Sequence, residues 1–268
     1  MSVPDWTPLL RTPAFETTSL LLGLVVGSFA NVCVHRLPRG ESIVSPPSRC
    51  PACGTLIQAR DNLPVVSYVL LRGRCRSCRA PISWRYPAVE AANGLLWLAL
   101  ATVFGPRPRT FVSMALVTAL LVLSLIDLGH QILPDAITLP GTAAGLAASF
   151  LPGAPATPLA SLAAAAFGWL GFAAVAKAYE RARGIEGLGQ GDWKMAAMLG
   201  AFLGWQGMLL TVLLASVLGT CVGLAMVALR GRDMRYALPL GTFLGAAGIA
   251  VVFSGDAILA WYRGLFRG

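Results

Sequence analysis

The chain has 268 residues, of which 56% are hydrophobic and 12% are charged, and its mean hydropathy is +0.69. Soluble domains carry about 25% charged residues, so this composition excludes an ordinary soluble enzyme and favours a protein embedded in a bilayer. The net charge of +9 does not indicate nucleic-acid binding, because the basic residues concentrate in one polar segment and in short gaps between apolar stretches.

Eight apolar stretches are candidates for membrane helices, each of which requires about 20 mostly apolar residues. Prolines in the gaps act as helix breakers. The predicted fold is therefore an all-α polytopic membrane protein with about eight transmembrane helices. Within the fourth stretch, Gly141 and Gly145 form a pair of small residues that lets membrane helices approach closely. The predicted helices are 17–36, 87–105, 109–128, 134–152, 157–178, 193–207, 209–229 and 237–254.

The positive charges predict the orientation of these helices. Nine of the 21 Lys and Arg residues lie between Arg36 and Arg85, in the one sizeable polar segment. If that segment is cytoplasmic, the inside regions and their flanks hold 16 basic residues and the outside regions hold five. Since basic residues accumulate on the cytoplasmic side, we expect a multi-pass protein, surrounded by membrane lipid, with both termini outside.

Three domains follow from this pattern. Residues 1–36 form an N-terminal segment with the first membrane helix, residues 37–86 form a polar cytoplasmic domain, and residues 87–268 form a transmembrane domain. The polar domain is too small to bury a large apolar core, so it requires a covalent or metal link for stability.

Four cysteines form two pairs in the polar domain. Cys50 and Cys53 are separated by two residues, 21 residues follow, and Cys75 and Cys78 repeat the pair. Two such pairs place four thiolates around one tetrahedral ion, and four sulfur ligands suit Zn²⁺ in a closed structural site. The alternatives are metal-free turns with reduced cysteines, or redox-active thiols. The spacing thus favours a small zinc-knuckle domain between the first and second transmembrane helices.

Two aspartates at the ends of predicted helices are candidates for catalysis, because ionisable groups within membrane segments are costly. Asp127 ends the third helix, and Asp192 begins the sixth. The predicted topology places both near the cytoplasmic face, where two close carboxylates share one proton. The ionised carboxylate then activates water, and the protonated one polarises the scissile carbonyl, as in aspartyl proteases. Alternatively, Asp192 caps its helix and Asp127 pairs with an arginine.

Two further acids have other interpretations. Asp135 follows Pro134 at a predicted helix start, where an acid interacts with the free N–H groups, so it is interpreted as structural. Glu90 lies inside the second predicted helix. Pairing with an arginine, binding a substrate amine and helix packing are all open for Glu90.

Five segments together resemble those of the bacterial type IV prepilin peptidases, and they occur in that family's order over about residues 20–210. The last of them contains Gly189-Gln190-Gly191-Asp192, a Gly-x-Gly-Asp motif. Trp193 is a departure, since a smaller or aliphatic residue is more usual after the aspartate. The segments are Gly27–Pro38, the double Cys-x-x-Cys, Arg85–Glu90, Ile126–Asp135 and Glu186–Lys194.

The resemblance implies an eight-helix aspartyl protease of the bacterial inner membrane, with Asp127 and Asp192 as catalytic residues on its cytoplasmic side. Its substrates would be type IV prepilins or pseudopilins, cut after a Gly that ends a short basic leader. The resemblance also implies methylation of the new N-terminus with S-adenosylmethionine, and it associates Gly73 and residues 37–86 with this activity. The sequence contains no glycine-rich methyltransferase motif, so the methylation rests on the resemblance.

Three alternatives belong to other functional classes or to a reduced activity. A non-catalytic zinc-knuckle assembly factor would tolerate loss of both aspartates. A transporter also uses acids within helices, but its acids belong near the midplane of the bilayer rather than at one face. A peptidase without methyltransferase activity would leave the new N-terminus unmodified.

Overall fold

The computed structural model describes residues 13–184, 188–230 and 238–265, with the exception of the side chain of Arg230. Within these ranges the regular structure is helical, and β-pairing is limited to two isolated bridges. The predicted all-α class is therefore confirmed. The α-helices are α1 (Pro13–Arg36), α2 (Val66–Leu70), α3 (Arg85–Phe104), α4 (Pro108–His130), α5 (Asp135–Ala148), α6 (Pro158–Arg183), α7 (Gln190–Arg230) and α8 (Leu240–Leu265).

The predicted apolar stretches coincide with these helices wherever the chain is described. Six of the described helices are long and apolar enough to cross a membrane, which confirms a multi-pass membrane protein. The short α5 has 14 residues and does not reach that length. Three parts of the predictions lie outside the described residues: the first twelve residues of the N-terminal domain, Glu186 with Gly187, and the predicted helix start at 237.

The long helix α7 is two helices joined at a reversal. Gly204 has φ 69° and ψ −179°, which is not helical. A Cβ at Gly168 would lie 2.7 Å from the carbonyl oxygen of Ala196 and 2.9 Å from the sulfur of Met208. Those two residues would be about 18 Å apart along a continuous helix. The chain therefore folds back at Gly204, and two predicted helices, 193–207 and 209–229, are confirmed with their boundary four residues earlier.

The chain divides into two compact units, residues 1–118 and 119–268, and the first is built on close packing of α1 against α3. A Cβ at Gly23 would lie 2.9 Å from the Cα of Gly94, and one at Gly27 would lie 2.8 Å from the Cα of Glu90. The buried amide of Asn93 donates a 2.7 Å hydrogen bond to the Gly23 carbonyl. A second hydrogen bond runs from the Asn31 amide to the Tyr86 carbonyl at 3.0 Å. Small residues and interhelical hydrogen bonds thus hold this pair together, as expected where lipid gives no hydrophobic drive.

The second unit also depends on glycine. Helix α7 packs on α5, where a Cβ at Gly141 would collide with the Met198 side chain and one at Gly145 would lie 2.9 Å from Ala201 Cβ. The predicted close approach at this small-residue pair is confirmed. Helix α6 approaches α7 still more closely, because a Cβ at Gly200 would lie 2.5 Å from the Ala164 carbonyl oxygen.

Two alanine substitutions on α6 test this packing. Gly168→Ala is expected to destabilise the protein by about 1–3 kcal/mol, because the added methyl meets the α7 backbone. Gly171→Ala is the matched control, since its Cβ would have a single neighbour at 4.0 Å. The control should be neutral or stabilising by up to ~1 kcal/mol, through better helix propensity. Unfolding in detergent measures both, and equal effects would contradict the proposed contact.

Candidate functional site

Asp127 lies near the end of α4 and is bound by the start of α8. The residue is 5% exposed. Oδ2 accepts hydrogen bonds from the backbone N–H of Thr242, at 2.7 Å, and from the Thr242 hydroxyl, at 3.1 Å. The first N–H groups of a helix have no partner within the helix, so the first turn of α8 is a natural place to bind a carboxylate. This arrangement fixes the position of Asp127.

Asp192 lies in the first turn of α7. Its Oδ2 accepts a 3.2 Å hydrogen bond from the N–H of Gly189, and its own N–H donates to the Gly189 carbonyl at 3.1 Å. Asp127 lies within electrostatic range of this carboxylate. The second unit therefore brings together two aspartates that are 65 positions apart in the chain.

Leu133 packs against two helix starts: that of α7, which carries Asp192, and that of α8, which binds Asp127. A Cβ at Gly191 would lie 2.8 Å from the Cβ of Leu133, and one at Gly241 would lie 2.9 Å from its methyl groups. The same Cβ at Gly241 would also lie 3.0 Å from Asp127 Oδ2. Both glycines are thus required for the close approach of α7 and α8 to the segment after α4.

An ion pair joins two further helix starts of the second unit. Lys194 Nζ is 2.6 Å and 2.7 Å from the two carboxylate oxygens of Asp135, the first residue of α5. Asp135 was interpreted as a helix-start residue, and the structure adds this partner on α7. The ion pair joins the beginnings of α5 and α7, and it leaves Asp135 engaged with a cation rather than with the other aspartates.

Trp193, the departure noted above, carries a buried donor. Its indole Nε1–H has no hydrogen-bond partner among the described residues. A buried donor without an acceptor costs free energy, so this indole is an unsatisfied polar group in the interior of the second unit.

The cysteines of the two pairs in the first unit form a cluster, hereafter the four-cysteine cluster (Cys50, Cys53, Cys75 and Cys78), whose sulfur atoms all lie within 4.8 Å of one another. The sulfurs of Cys50 and Cys78 are 3.8 Å apart. Four sulfurs at Zn–S distances of about 2.3 Å in a tetrahedron lie ~3.8 Å from each other. The cluster can therefore hold a metal ion, and its dimensions suit Zn²⁺.

The two knuckles of the four-cysteine cluster repeat one another with a displacement of 25 residues. The N–H of Cys50 donates to the Thr55 carbonyl at 2.9 Å, and that of Cys75 donates to the Ala80 carbonyl at 2.8 Å. The bridge Arg49–Leu56 likewise corresponds to Arg74–Pro81. The residue after each second cysteine has positive φ: 71° for Gly54 and 62° for Arg79. A left-handed conformation suits glycine, whereas arginine adopts it at a cost.

The pKa values of two thiols in the cluster are shifted in opposite directions. The pKa of Cys53 is lowered to about 6, first because of its hydrogen bond with the Thr55 hydroxyl. The pKa of Cys78 is raised to about 11: the N–H of Ala80 lowers it, but burial and the neighbouring cysteine sulfurs raise it more. Four thiolates this close repel one another, and a bound cation removes that repulsion.

Gly73, which the resemblance associates with methylation, packs against Tyr68. Its φ is 66°, and a Cβ at this position would lie 3.0 Å from the Tyr68 hydroxyl oxygen. Its carbonyl accepts a 2.7 Å hydrogen bond from Ile82 N–H in the second knuckle. Any larger residue at position 73 would strain the backbone and displace the tyrosine.

Sequence reasoning missed Thr242. Its contact with Asp127 spans 115 positions, and no motif marks a threonine in the first turn of a late helix as functional. The one available signal was its place after Pro239, since proline often precedes a helix and the first helical turn has free N–H groups.

Comparison with known families places this arrangement. The model described as Bacterial Peptidase A24 N-terminal domain matches residues 21–104, and that of the Type IV leader peptidase family matches residues 114–224. The chain belongs to the type IV leader peptidase family. The second of these matched regions contains Asp127 and Asp192, and the first contains the four-cysteine cluster.

Curated relatives within this leader peptidase family match most of the chain. A prepilin leader peptidase/N-methyltransferase of Pseudomonas putida is 41% identical over 95% of this chain and 96% of the relative. The Pseudomonas aeruginosa protein of the same name is 39% identical over 93% of each chain. The Myxococcus xanthus protein is 44% identical over 82% of this chain and 65% of the relative. No solved structure matches the chain.

Substitutions at the two positions with positive φ, Gly54 and Arg79, test whether the two knuckles are structurally equivalent. Gly54→Arg is expected to weaken the folded knuckle by about 1–2 kcal/mol, because it introduces a second strained side chain. Arg79→Gly removes such strain but adds backbone freedom to the unfolded chain, so we expect a change below about 1 kcal/mol. Competition with a chromophoric chelator gives the Zn²⁺ affinity of each full-length variant. Equal losses in both would contradict the structural equivalence.

Proposed function

We propose that this protein removes the short basic leader of type IV prepilins or pseudopilins and methylates the new N-terminal residue. Membership of the type IV leader peptidase family supports this function. The observation that carries it is the approach of Asp127 and Asp192 to one region of a membrane protein, where Leu133 packs against both Gly191 and Gly241. Cleavage after a Gly, directly before the apolar helix of the substrate, follows from the family resemblance.

The proposed cleavage step uses Asp127 and Asp192 as a pair. Two adjacent carboxylates share one proton, because ionising both is costly. The ionised carboxylate accepts a proton from water, whose oxygen attacks the scissile carbonyl carbon. The protonated carboxylate donates to the carbonyl oxygen, and a carboxyl proton then passes to the leaving amine as the C–N bond breaks. The Thr242 bonds hold Asp127 in place throughout, so no reorganisation is needed.

The proposed orientation matches the substrate. The protein resides in the bacterial inner membrane, with residues 37–86 and the catalytic pair facing the cytoplasm, as the distribution of Lys and Arg favours. A basic leader then stays in the cytosol, while the apolar pilin helix lies in the bilayer. The scissile bond therefore falls at the membrane surface, where the carboxylates at the start of α7 and the end of α4 lie.

The methylation is assigned to S-adenosylmethionine as the methyl donor. When bound, it supplies an electrophilic methyl group: the free α-amine takes the methyl, the C–S bond breaks with its electron pair on sulfur, and the amine releases one proton to solvent. Residues 37–86 are proposed as the methyltransferase-associated domain, between residues 1–36 and the peptidase domain of residues 87–268. Gly73 contributes to this activity by leaving room for Tyr68.

The four-cysteine cluster is proposed as a structural Zn²⁺ site. Four cysteines complete a tetrahedron and leave no open position for substrate, so the ion supports the domain rather than the chemistry. A metal of this kind replaces the apolar core that a small domain lacks.

Neutral substitutions of the aspartates test the peptidase mechanism. Asp127→Asn and Asp192→Asn should each lower cleavage of a co-expressed prepilin by at least about 10³-fold, because neither variant retains a shared carboxyl proton. Asp256→Asn, at an exposed position on α8, is the control and should cleave normally. Mass analysis of the substrate N-terminus measures the product. Normal cleavage by either active-site variant would exclude Asp127 and Asp192 as the catalytic pair.

Removal of one thiol tests the metal site. Cys50→Ser should abolish stoichiometric Zn²⁺ binding by the purified protein, as measured by plasma mass spectrometry, and should expose residues 37–86 to limited proteolysis. Cys221→Ser, on the exposed surface of α7, is the control and should keep the ion. Retention of Zn²⁺ in the Cys50 variant would exclude the four-cysteine cluster as its site.

A further inference from the structure

The first unit contains a cavity of about 650 Å³. Its wall combines α1, the loops of the polar domain and the start of α3, and it includes Tyr68, Tyr86 and Glu90. Pockets for ligands of drug size typically measure about 300–1,000 Å³ and combine apolar walls with a few placed polar groups. The cavity is thus large enough for a nucleoside-sized ligand.

The polar group that stands out in this cavity is the carboxylate of Glu90. The residue is 9% exposed. Its Oε2 accepts a 2.7 Å hydrogen bond from the backbone N–H of Val65. Across the part of the chain that the structure describes, Oε1 has no donor, although Glu90 lines the cavity. Oε1 is therefore accessible from the cavity and available to a cationic ligand group, to which a carboxylate makes strong hydrogen bonds.

The backbone that binds Glu90 is itself strained. Val65 has φ 60° and ψ −46°, and the N–H of Val66 donates to the Pro64 carbonyl at 2.6 Å. This is a γ-turn of the rare positive-φ kind, and a β-branched residue is especially unfavourable there. Strained backbone of this kind is concentrated at functional sites, where the surrounding structure holds it. Here the bond to Glu90 holds it.

Three other charged groups of the cavity wall, Arg36, Asp61 and Arg76, already have partners, and Glu41 is exposed to solvent. Asp61 forms a bidentate ion pair with Arg76, whose nitrogens lie 2.6–3.0 Å from its oxygens. Arg36 donates to the carbonyls of Ser42 and Pro46, at 2.8 Å and 2.7 Å. In contrast, the exposed guanidinium of Arg49 has no partner within the described residues. The cavity therefore offers one largely buried carboxylate and one free guanidinium to a ligand.

We propose that this cavity is the S-adenosylmethionine site, with Glu90 accepting from the α-ammonium group of the donor, an inference that rests on the proposed methyltransferase function. Arg49 then pairs with the α-carboxylate, and the tyrosine and aliphatic wall receives the adenine. The position of Tyr68 on this wall requires Gly73, which explains physically how a glycine outside the cavity lining affects methylation.

The charges of the wall favour this occupant over the substrate leader. The wall carries both signs of charge: Glu41, Asp61 and Glu90 line it together with Arg36, Arg49 and Arg76. A methyl donor with one ammonium and one carboxylate group complements such a mixed wall, whereas the side chains of a basic leader carry positive charge.

Titration calorimetry of the full-length protein in detergent tests the assignment. The substitution Glu90→Gln keeps an acceptor for Val65 N–H and removes the charge. It should weaken S-adenosylhomocysteine binding by about 10- to 100-fold. The wild-type protein should prefer this probe to 5′-methylthioadenosine, which lacks the amino acid part, and the variant should lose that preference. Glu180→Gln, on the exposed end of α6, is the matched control and should bind as the wild type does.

A second variant keeps the proposal testable if Glu90→Gln does not fold. Ser28→Phe adds a large side chain to the cavity wall from α1 and should also weaken binding of the probe. The proposal is overturned, with the proposed function intact, if wild type binds the probe and methylates a prepilin while Glu90→Gln binds it equally well. It is also overturned if Glu90→Gln weakens the binding of a leader peptide but leaves the binding of S-adenosylhomocysteine unchanged. If the wild-type protein neither binds the probe nor methylates, the proposed methyltransferase function fails as well.

Discussion

The hydrogen bonds between Asp127 and the first turn of α8 are the contact on which the second unit depends. They join parts of the chain 115 positions apart and place a carboxylate against the unpaired N–H groups of a helix. The glycines at 191 and 241 then let Leu133 pack between the starts of α7 and α8. Asp192, in the first turn of α7, follows into the same region. The proposed protease site is thus built largely from helix ends, where backbone groups are free to bind charge.

The polar domain of the first unit is stabilised in a different way. Its polar segment has too little apolar surface for a core, so four thiolates and two repeated turns replace one. The strained turn at Val65 belongs to this polar domain, Glu90 follows in α3, and both residues line a cavity. A chain of 268 residues therefore divides two proposed chemistries between two compact units. Each unit binds its polar groups by hydrogen bonds within the unit, as groups shielded from water require.

The sequence predicts the features that depend on local pattern. Helix positions follow from apolar length, and the four-cysteine cluster follows from the spacing of its members. The hydrogen-bond donors to the carboxylates cannot be predicted from the sequence, because they depend on which helix ends meet in the folded protein. Thr242 beside Asp127 and Val65 beside Glu90 are such partners. The reversal at Gly204 was expected four residues later, since several glycines nearby could supply the required backbone conformation.

The glycine contact between α6 and α7 determines how these helices can come apart. Glycine has no rotamers to lose, so bringing Gly168 and Gly200 to the partner backbone costs no side-chain entropy. The attraction that results is dispersion, which falls by a quarter to a half when a gap of only about 0.5–1 Å opens. At Gly200 the nearest atoms of the partner helix are all backbone, so no flexible side chain fills such a gap there. The helices are therefore expected to separate in one abrupt step, without passing through a loosened but still associated state.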